Sequence, residues 1–258
     1  MSKTKIAWTE RTWNPVTGCT KISEGCRHCY AETMAKRLQG MGQKRYANGF
    51  TLTLHPEALN EPKKVKEPSM FFVCSMADLF HKDVPFEFVD EVIKVIEATP
   101  QHKYQLLTKR ANLMHQYFTL KGYVPDNVWV GVTLEDAKAK ERLWYLKDLK
   151  YTFDAKVTYL SCEPLLGDLG YLSLGGIDWV IVGGESGSQA RKMSKEWVLN
   201  IQRQCAEQDV PFFFKQWGTW GEDGEKRNKE ANGNLLNGQL YQEWPKALKQ
   251  INSSSKQS

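Results

Sequence analysis

Long apolar runs are missing from this sequence of 258 residues. No run approaches the ~20 apolar residues that a membrane-spanning helix needs. The first ten residues, MSKTKIAWTE, also lack the apolar stretch of a signal peptide. We therefore expect a cytoplasmic protein with no membrane segment.

A strong charge of either sign is also missing. The chain carries 35 Lys and Arg against 30 Asp and Glu. A dedicated nucleic-acid-binding module usually has a basic stripe that acids do not dilute. The mild excess of base, with a pI near 8.7, still permits a partner that bears phosphate.

A disulfide framework is not expected either, because a cytosolic compartment keeps thiols reduced. The chain has six cysteines. Three of them lie in apolar segments and are interpreted as small buried side chains: Cys74, Cys162 and Cys205. The other three form a compact C-x6-C-x2-C pattern at Cys19, Cys26 and Cys29.

Short apolar runs alternate with amphipathic segments along most of the chain, which is typical of a parallel sheet with crossover helices. The predicted strands are FTLTL from Phe50, FFVCSM from Phe71, YQLLTK from Tyr104, VWVGVT from Val128, VTYLSCE from Val157, DWVIVGGE from Asp178 and PFFFKQW from Pro211. Helical spacing recurs at Phe86, Val89, Ile93 and Ile96, at Leu113, Tyr117 and Leu120, at Ala139, Leu143 and Leu146, and after Ser194 at Trp197, Ile201 and Cys205. The pattern predicts an α/β fold, a partial or complete (β/α) TIM-like barrel of six to eight parallel strands.

Composition also predicts the domain organisation. Residues 1–220 are expected to form the barrel domain, with the cysteine pattern in a loop near its N-terminus. After about Gly218 the sequence becomes rich in Gly, Asn, Glu and Lys. We expect residues 221–258 to form a C-terminal extension that is partly disordered.

Polar side chains follow the predicted strands repeatedly, and in a barrel such positions form the functional face. They are Ser75 and Asp78, Lys109 and Arg110, Thr133 and Glu135, Ser161 and Glu163, Glu185 and Ser186, and Lys215 and Gln216. Each pair alone is uninformative, but together they predict one polar-lined mouth.

Three closely spaced cysteines suit either of two metal centres. A loop of this size can wrap an iron–sulfur cluster. A structural zinc ion normally needs four protein ligands, and His28 is the available fourth residue. Three ligands to a [4Fe–4S] cluster would leave one iron open for a reactant.

The blocks NPVTGC and GCRHCYAE resemble the cluster loop of radical S-adenosylmethionine (SAM) enzymes, and distantly that of the spore photoproduct lyase branch. The chain also resembles a phage- and prophage-associated radical SAM family of uncharacterised function. The likeness is carried by the blocks TWNPVTGC, CSMADLFH, YQLLTKRA, VWVGVTLED, YLSCEPLLG, DWVIVGGESG and FFFKQWG. The usual spacing in the superfamily is C-x3-C-x2-C, so the loop here is longer between its first two cysteines.

The resemblance implies a [4Fe–4S] cluster on Cys19, Cys26 and Cys29 that cleaves SAM reductively. The product is a 5′-deoxyadenosyl radical that abstracts hydrogen from a substrate. The partners implied are SAM, an electron donor such as a flavodoxin or ferredoxin, and a three-Cys-motif partner protein. The residues expected to contact the cofactors are His28, Tyr30, Ser75, Asp78, Lys109, Glu135, Glu163, Gly184 and Glu185.

Several of these residues have a second interpretation. Asp78, in SMAD, resembles the position that receives the SAM amino group, but a turn aspartate would give the same pattern. Lys109, Glu135 and Glu163 would bind SAM or substrate, or form salt bridges at the rim. Gly184, with Gly183 before it, would let the backbone approach a ligand, or would form a tight turn.

Three functions remain open at this stage. The first is a radical SAM enzyme that acts on a nucleic-acid base or nucleoside, a substrate suggested by the basic pI, the aromatic content and the likeness to a DNA-repair branch. The second is a zinc- or cluster-stabilised nucleic-acid-binding module without catalysis. The third is a radical SAM enzyme that acts on a peptide or a partner protein.

Overall fold

The computed structural model describes residues 3–248. Its strands are β1 Arg11–Trp13, β2 Val16–Thr17, β3 Thr53–Leu54, β4 Met70–Val73, β5 Lys103–Thr108, β6 Val128–Thr133, β7 Val157–Cys162, β8 Trp179–Gly183, β9 Phe212–Gln216, β10 Leu235–Leu236 and β11 Gln239–Leu240. Its α-helices are α1 Tyr30–Gly40, α2 Phe86–Glu97, α3 Ala111–Lys121, α4 Arg142–Phe153, α5 Lys195–Glu207 and α6 Lys229–Asn232.

One seven-stranded sheet organises the chain, in the order β1-β4-β5-β6-β7-β8-β9. Every neighbouring pair in it is parallel. Parallel neighbours joined by right-handed crossovers carry their helices on one face, which curls the sheet toward a barrel. In the described part of the chain β1 and β9 are not paired with each other. The prediction of an α/β partial barrel with six to eight parallel strands is confirmed.

The two faces of the sheet carry different cores. The helix-covered face packs the larger cluster, in which Val130, Leu160 and Val182 are fully buried. The inner face carries a mainly aromatic cluster near the amino ends of the strands, consisting of Trp8, Met70, Phe72, Trp129, Val157, Tyr159, Trp179, Ile181 and Phe213. The amino end of the barrel is therefore filled, and polar groups collect at the carboxyl end.

The C-terminal residues help to fill that amino end. Trp244 stacks on Trp179 with ring centroids 5.0 Å apart. The backbone of Gln242 bridges to Phe213 of β9 in antiparallel fashion. The segment around Gln242 and Trp244 thus packs on the sheet. The disorder predicted for the end of the extension concerns residues 249–258, which lie outside the described residues. No helix within residues 3–248 is long and apolar enough to cross a bilayer.

Two sequence predictions were wrong. FTLTL was expected to be a barrel strand, but its end forms β3, which pairs antiparallel with β2 and lies outside the parallel sheet. The first barrel strand is instead β1, three residues that are too short to give an apolar run. Leu120, expected on the buried side of α3, is 72% exposed.

Candidate functional site

The cysteine loop, defined here as residues 14–29, follows β1 at the carboxyl end of the sheet. Gly18 has φ +78°, and a Cβ there would lie 2.2 Å from the carbonyl oxygen of Thr51. The Gly18 amide donates to the carbonyl of Met76 (3.0 Å), and the Cys19 amide to that of Phe50 (3.2 Å). A glycine is required for this close approach, which seats the loop against the segments that follow β4 and precede β3.

All three loop cysteines are free and partly exposed. Cys26 ends a 3-10 turn and Cys29 occupies the N-cap position of α1. Burial, followed by the charge of Asp78, raises the pKa of the Cys19 thiol, while Arg110 acts in the opposite direction. A metal bound there would have to displace the thiol proton.

The donor set suits an iron–sulfur cluster. Within residues 3–248, no three His, Cys, Asp or Glu side chains are grouped so as to hold a metal ion. A cubane cluster makes a different demand, because each thiolate binds its own iron and the three sulfurs need not converge on one point. Three free, partly exposed thiols in a single loop are compatible with that demand.

Arg110 links the cysteine loop to the sheet. Its Nη1 lies 3.6 Å from Cys19 Sγ and 2.9 Å from Asp78 Oδ2. Its Nη2 donates to the carbonyl and hydroxyl oxygens of Thr20 at 3.0 and 3.1 Å. His81 Nε2 contacts the same hydroxyl at 2.7 Å. The buried guanidinium of Arg110 therefore fixes Thr20, the residue that follows Cys19.

Asp78 is buried, and protein groups already surround it. Besides Arg110, the Thr108 hydroxyl lies within hydrogen-bond distance of Oδ1 and Oδ2, at 2.7 and 2.9 Å. The Phe80 amide donates to Oδ1 at 3.0 Å, as in a turn aspartate. These contacts match the turn interpretation of the sequence.

Glu135 lies directly beneath the cysteine loop. Its residue is 1% exposed, and a Cβ on Gly25 would lie 3.2 Å from Glu135 Cγ. Arg142 donates to Oε2 at 2.7 Å, whereas Oε1 is buried without a hydrogen-bond partner among the described residues. Burial alone would raise the pKa of this carboxyl, but the charge of Lys109, the nearby Ser23 hydroxyl and Arg142 together lower it.

Arg191 braces the loop from the opposite side. It donates through Nε and Nη2 to the two oxygens of Glu185 at 2.9 and 2.7 Å, and its Nη2 also reaches the carbonyl of Glu24 at 2.9 Å. Burial would raise the pKa of Glu185, but the side-chain and backbone hydrogen bonds from Arg191 outweigh it and lower the pKa. Glu185 thus holds a loop-binding arginine.

A separate ion pair lies toward the inner face of the sheet. Lys215 Nζ is 3.0 Å from Glu163 Oε1, and a Cβ on Gly183 would lie only 2.4 Å from the same oxygen. Lys215 also lies over the ring of Trp8, 5.9 Å from its centroid. The pair adds charged groups to the mouth directly above the aromatic cluster.

The remaining predicted residues lie in different surroundings. Tyr30 donates a hydrogen bond to the carbonyl of Ser75, whose hydroxyl donates to Asn14 Oδ1 at 3.2 Å. Gly184 is closed in, because a Cβ there would lie 1.9 Å from the Trp217 carbonyl oxygen. His28 is partly exposed and lies near Glu185.

Sequence reasoning missed three contacts of this site. Arg191 lies in an aperiodic stretch that gave no signal. Asn14 stands in the NPVTGC block but was not singled out, although its Oδ1 also accepts from the Met76 amide at 3.1 Å. Lys215 was seen as a strand-end residue, but its pairing with Glu163 could not be read from the sequence.

Comparison with solved structures finds several of spore photoproduct lyase. One, complexed with dinucleoside spore photoproduct, is 12% identical with a TM-score of 0.47, and the match covers 80% of this chain and 65% of the lyase chain. A mutant with bound AdoMet and the same dinucleoside is 12% identical with a TM-score of 0.45 and the same coverages. A cysteine-to-serine mutant is 13% identical with a TM-score of 0.48, covering 99% of this chain and 74% of the lyase.

These lyases are distant from this chain, which spans less than two thirds of the first of them. No curated protein matches the sequence. A family model described as a protein of unknown function, DUF5131, matches residues 3–245. Because that match covers nearly the whole sequence, the chain belongs to the DUF5131 family.

Proposed function

We propose that this protein is a radical SAM enzyme whose Cys19, Cys26 and Cys29 hold a [4Fe–4S] cluster. The observation that carries the proposal is the placement of three free thiols in one loop over the polar end of a parallel (β/α) sheet. When bound, the cluster would supply the electron that cleaves SAM and yields the radical. The chain's own residues seat the loop, bind SAM and exclude water.

Glu135 is the residue best suited to bind SAM. Its carboxyl has a lowered pKa and is therefore ionised at neutral pH. Its Oε1 is buried and makes no hydrogen bond among residues 3–248, although the Ser23 hydroxyl lies close enough to help lower the pKa of the carboxyl. A buried acceptor in that position gains from a further donor. Hydroxyl donors of a ribose would satisfy it. Lys109, whose charge acts on Glu135, would lie beside the same ligand and attract its carboxylate.

The other predicted residues divide into three groups. Asp78 and Glu185 already accept hydrogen bonds from arginines, so we propose that they act by positioning the cysteine loop. Glu163, with Lys215, would face the substrate at the inner side of the mouth. Tyr30, Ser75 and His28 border the cysteines and would line the SAM site, where Gly184 contributes only a packed turn.

The substrate we propose is a nucleic-acid base or nucleoside. The mild basic excess and the aromatic content of the chain support this class. An electron donor of the flavodoxin or ferredoxin type would reduce the cluster. The alternatives are a peptide or partner-protein substrate, such as a three-Cys-motif partner protein, and a zinc-stabilised binding module.

Anaerobic reconstitution tests the proposal. The protein is loaded with iron and sulfide, dithionite and SAM are added, and 5′-deoxyadenosine is measured. Cys26→Ala should abolish product, whereas Cys205→Ala, a buried cysteine on α5, should retain it. If the purified protein holds one stoichiometric zinc and forms no cluster, the binding-module function replaces this proposal.

A further inference from the structure

Three aromatic side chains on one side of the molecule are unusually exposed. Trp144 is 62% exposed, Tyr151 70% and Tyr171 75%. Large aromatic rings normally bury most of their area, and single exceptions need no explanation. Several together form a patch, which in a folded protein marks an interaction surface.

These rings belong to one continuous surface. Trp144, Lys147 and Tyr151 are spaced i, i+3 and i+7 on α4, which puts them on one side of the helix. Lys140 Nζ donates to the carbonyl of Tyr171 at 2.8 Å. The loop of residues 169–176 therefore lies beside the helix.

Two further contacts join this loop to α4. Lys147 Nζ donates to the Ser173 hydroxyl at 3.0 Å. A Cβ on Gly176, which has φ +79°, would lie 2.8 Å from the Tyr151 ring. We call the whole the α4 face: Lys140, Trp144, Lys147, Tyr151 and Tyr171.

The α4 face carries the positive charges of Lys140 and Lys147, and Asp168 lies close enough to Lys140 for their charges to interact. Both lysines donate to neutral oxygens, and within residues 3–248 neither forms a direct ion pair with a carboxylate. The nearest acid along α4 is engaged elsewhere, since Asp148 is paired with His115 at 2.7 Å. Exposed Glu141 lies at the N-terminal edge of the face.

We propose that the α4 face binds single-stranded nucleic acid, with bases stacked on the aromatic rings and phosphates held by Lys140 and Lys147. Stacking on aromatic side chains beside a positive track is how proteins bind single strands without reading sequence. Trp144 and Tyr151 are separated by about 10 Å along the helix axis, which leaves room for consecutive bases.

This inference does not depend on a cluster. The α4 face is formed by α4 and an adjacent loop, and none of its residues contacts the cysteine loop in the described structure. Binding can therefore be measured on protein without iron. If the α4 face does not bind nucleic acid, the radical SAM proposal is unaffected. If the protein forms no cluster, the proposed binding by the α4 face is unaffected.

The test is fluorescence anisotropy of a labelled 12-nucleotide oligo-dT with the full-length protein. We expect saturable binding that weakens with salt, because phosphate contacts release counterions. Tyr171→Ala and Trp144→Ala should each raise Kd at least fivefold, and Lys147→Gln should reduce the slope of log Kd against log salt. Tyr171→Ala keeps the test informative if Trp144→Ala unfolds, because Trp144 also packs 4.9 Å from Tyr145.

Tyr123→Ala is the matched control. Tyr123 is exposed beside Lys121, but that lysine is paired with Glu97 at 3.2 Å, so Kd should not change. The proposal is overturned if the oligonucleotide does not bind, or if the Tyr171 and Trp144 variants bind like the wild type. One such outcome would also assign the surface: if the oligonucleotide does not bind and the protein is a dimer that Trp144→Ala dissociates, the α4 face is an interface between two copies of the chain.

Discussion

Replacing Arg110 with glutamine should destabilise the protein strongly, because it leaves the Asp78 carboxylate without a countercharge. The pair is 2.9 Å apart, with side chains only 8% and 9% exposed. Breaking a buried ion pair on one side costs about 3–5 kcal/mol. Asp78 would keep its hydrogen bonds from Thr108 and the Phe80 amide, so we expect the lower end, about 3 kcal/mol.

The assay is urea unfolding at pH 7, with the free energy of unfolding extrapolated to water. Arg203→Gln is the matched control, because Arg203 pairs with Glu207 at 3.1 Å with both side chains more than half exposed. Such helix pairs contribute about 0.3–0.5 kcal/mol. If Arg110→Gln lowers the free energy of unfolding no more than Arg203→Gln does, the Arg110 pair does not anchor the loop.

Two further predictions concern the barrel itself. His102 is fully buried, and its Nδ1 accepts from the Ser69 amide at 3.2 Å. Burial lowers its pKa below the usual 6.5. Below about pH 6.5 the unfolded chain therefore binds a proton at this site that the folded chain does not bind, so the free energy of unfolding falls as the pH drops. In urea unfolding from pH 7 to 5, His102→Gln should lose stability less steeply than the wild type; an equal slope refutes this. Gly131→Ala should cost about 1–3 kcal/mol in the same assay, because its Cβ would lie 2.4 Å from the Tyr159 ring. Gly40→Ala, which meets nothing within 4 Å, should be neutral or stabilising.

Much of the fold could be predicted because the barrel strands are buried on both faces. Continuous apolar runs such as those of β6 and β7 identify strands without any knowledge of their neighbours. The edge of the sheet gives no such signal. β1 has three residues, of which only Trp13 is buried, so it could be recognised only through its register with Phe71, Phe72 and Val73 of β4.

The candidate site also has a part that the sequence predicts and a part that it does not. The cysteine spacing is a local pattern, so the sequence alone singled out Cys19, Cys26 and Cys29. The roles of Asp78 and Glu185 depend on partners that are not their neighbours in sequence. Thr108 meets Asp78 across 30 positions because parallel strands bring their carboxyl ends together. No single-sequence pattern specifies which of several strand-end polar groups will pair.

The length of the cysteine loop explains why it needs two arginines. Its C-x6-C spacing contains three more residues than the C-x3-C of the radical SAM enzymes it resembles, and fixing each residue's backbone costs about 1–2 kcal/mol of conformational entropy. The contacts fall on the stretch between Cys19 and Cys26: Arg110 holds Thr20 at its beginning, and Arg191 holds Glu24 near its end. Gly25 then packs on Glu135. A longer loop with fixed ends can hold its cysteines as firmly as a shorter one, so we propose that the long spacing and the two arginine anchors belong together.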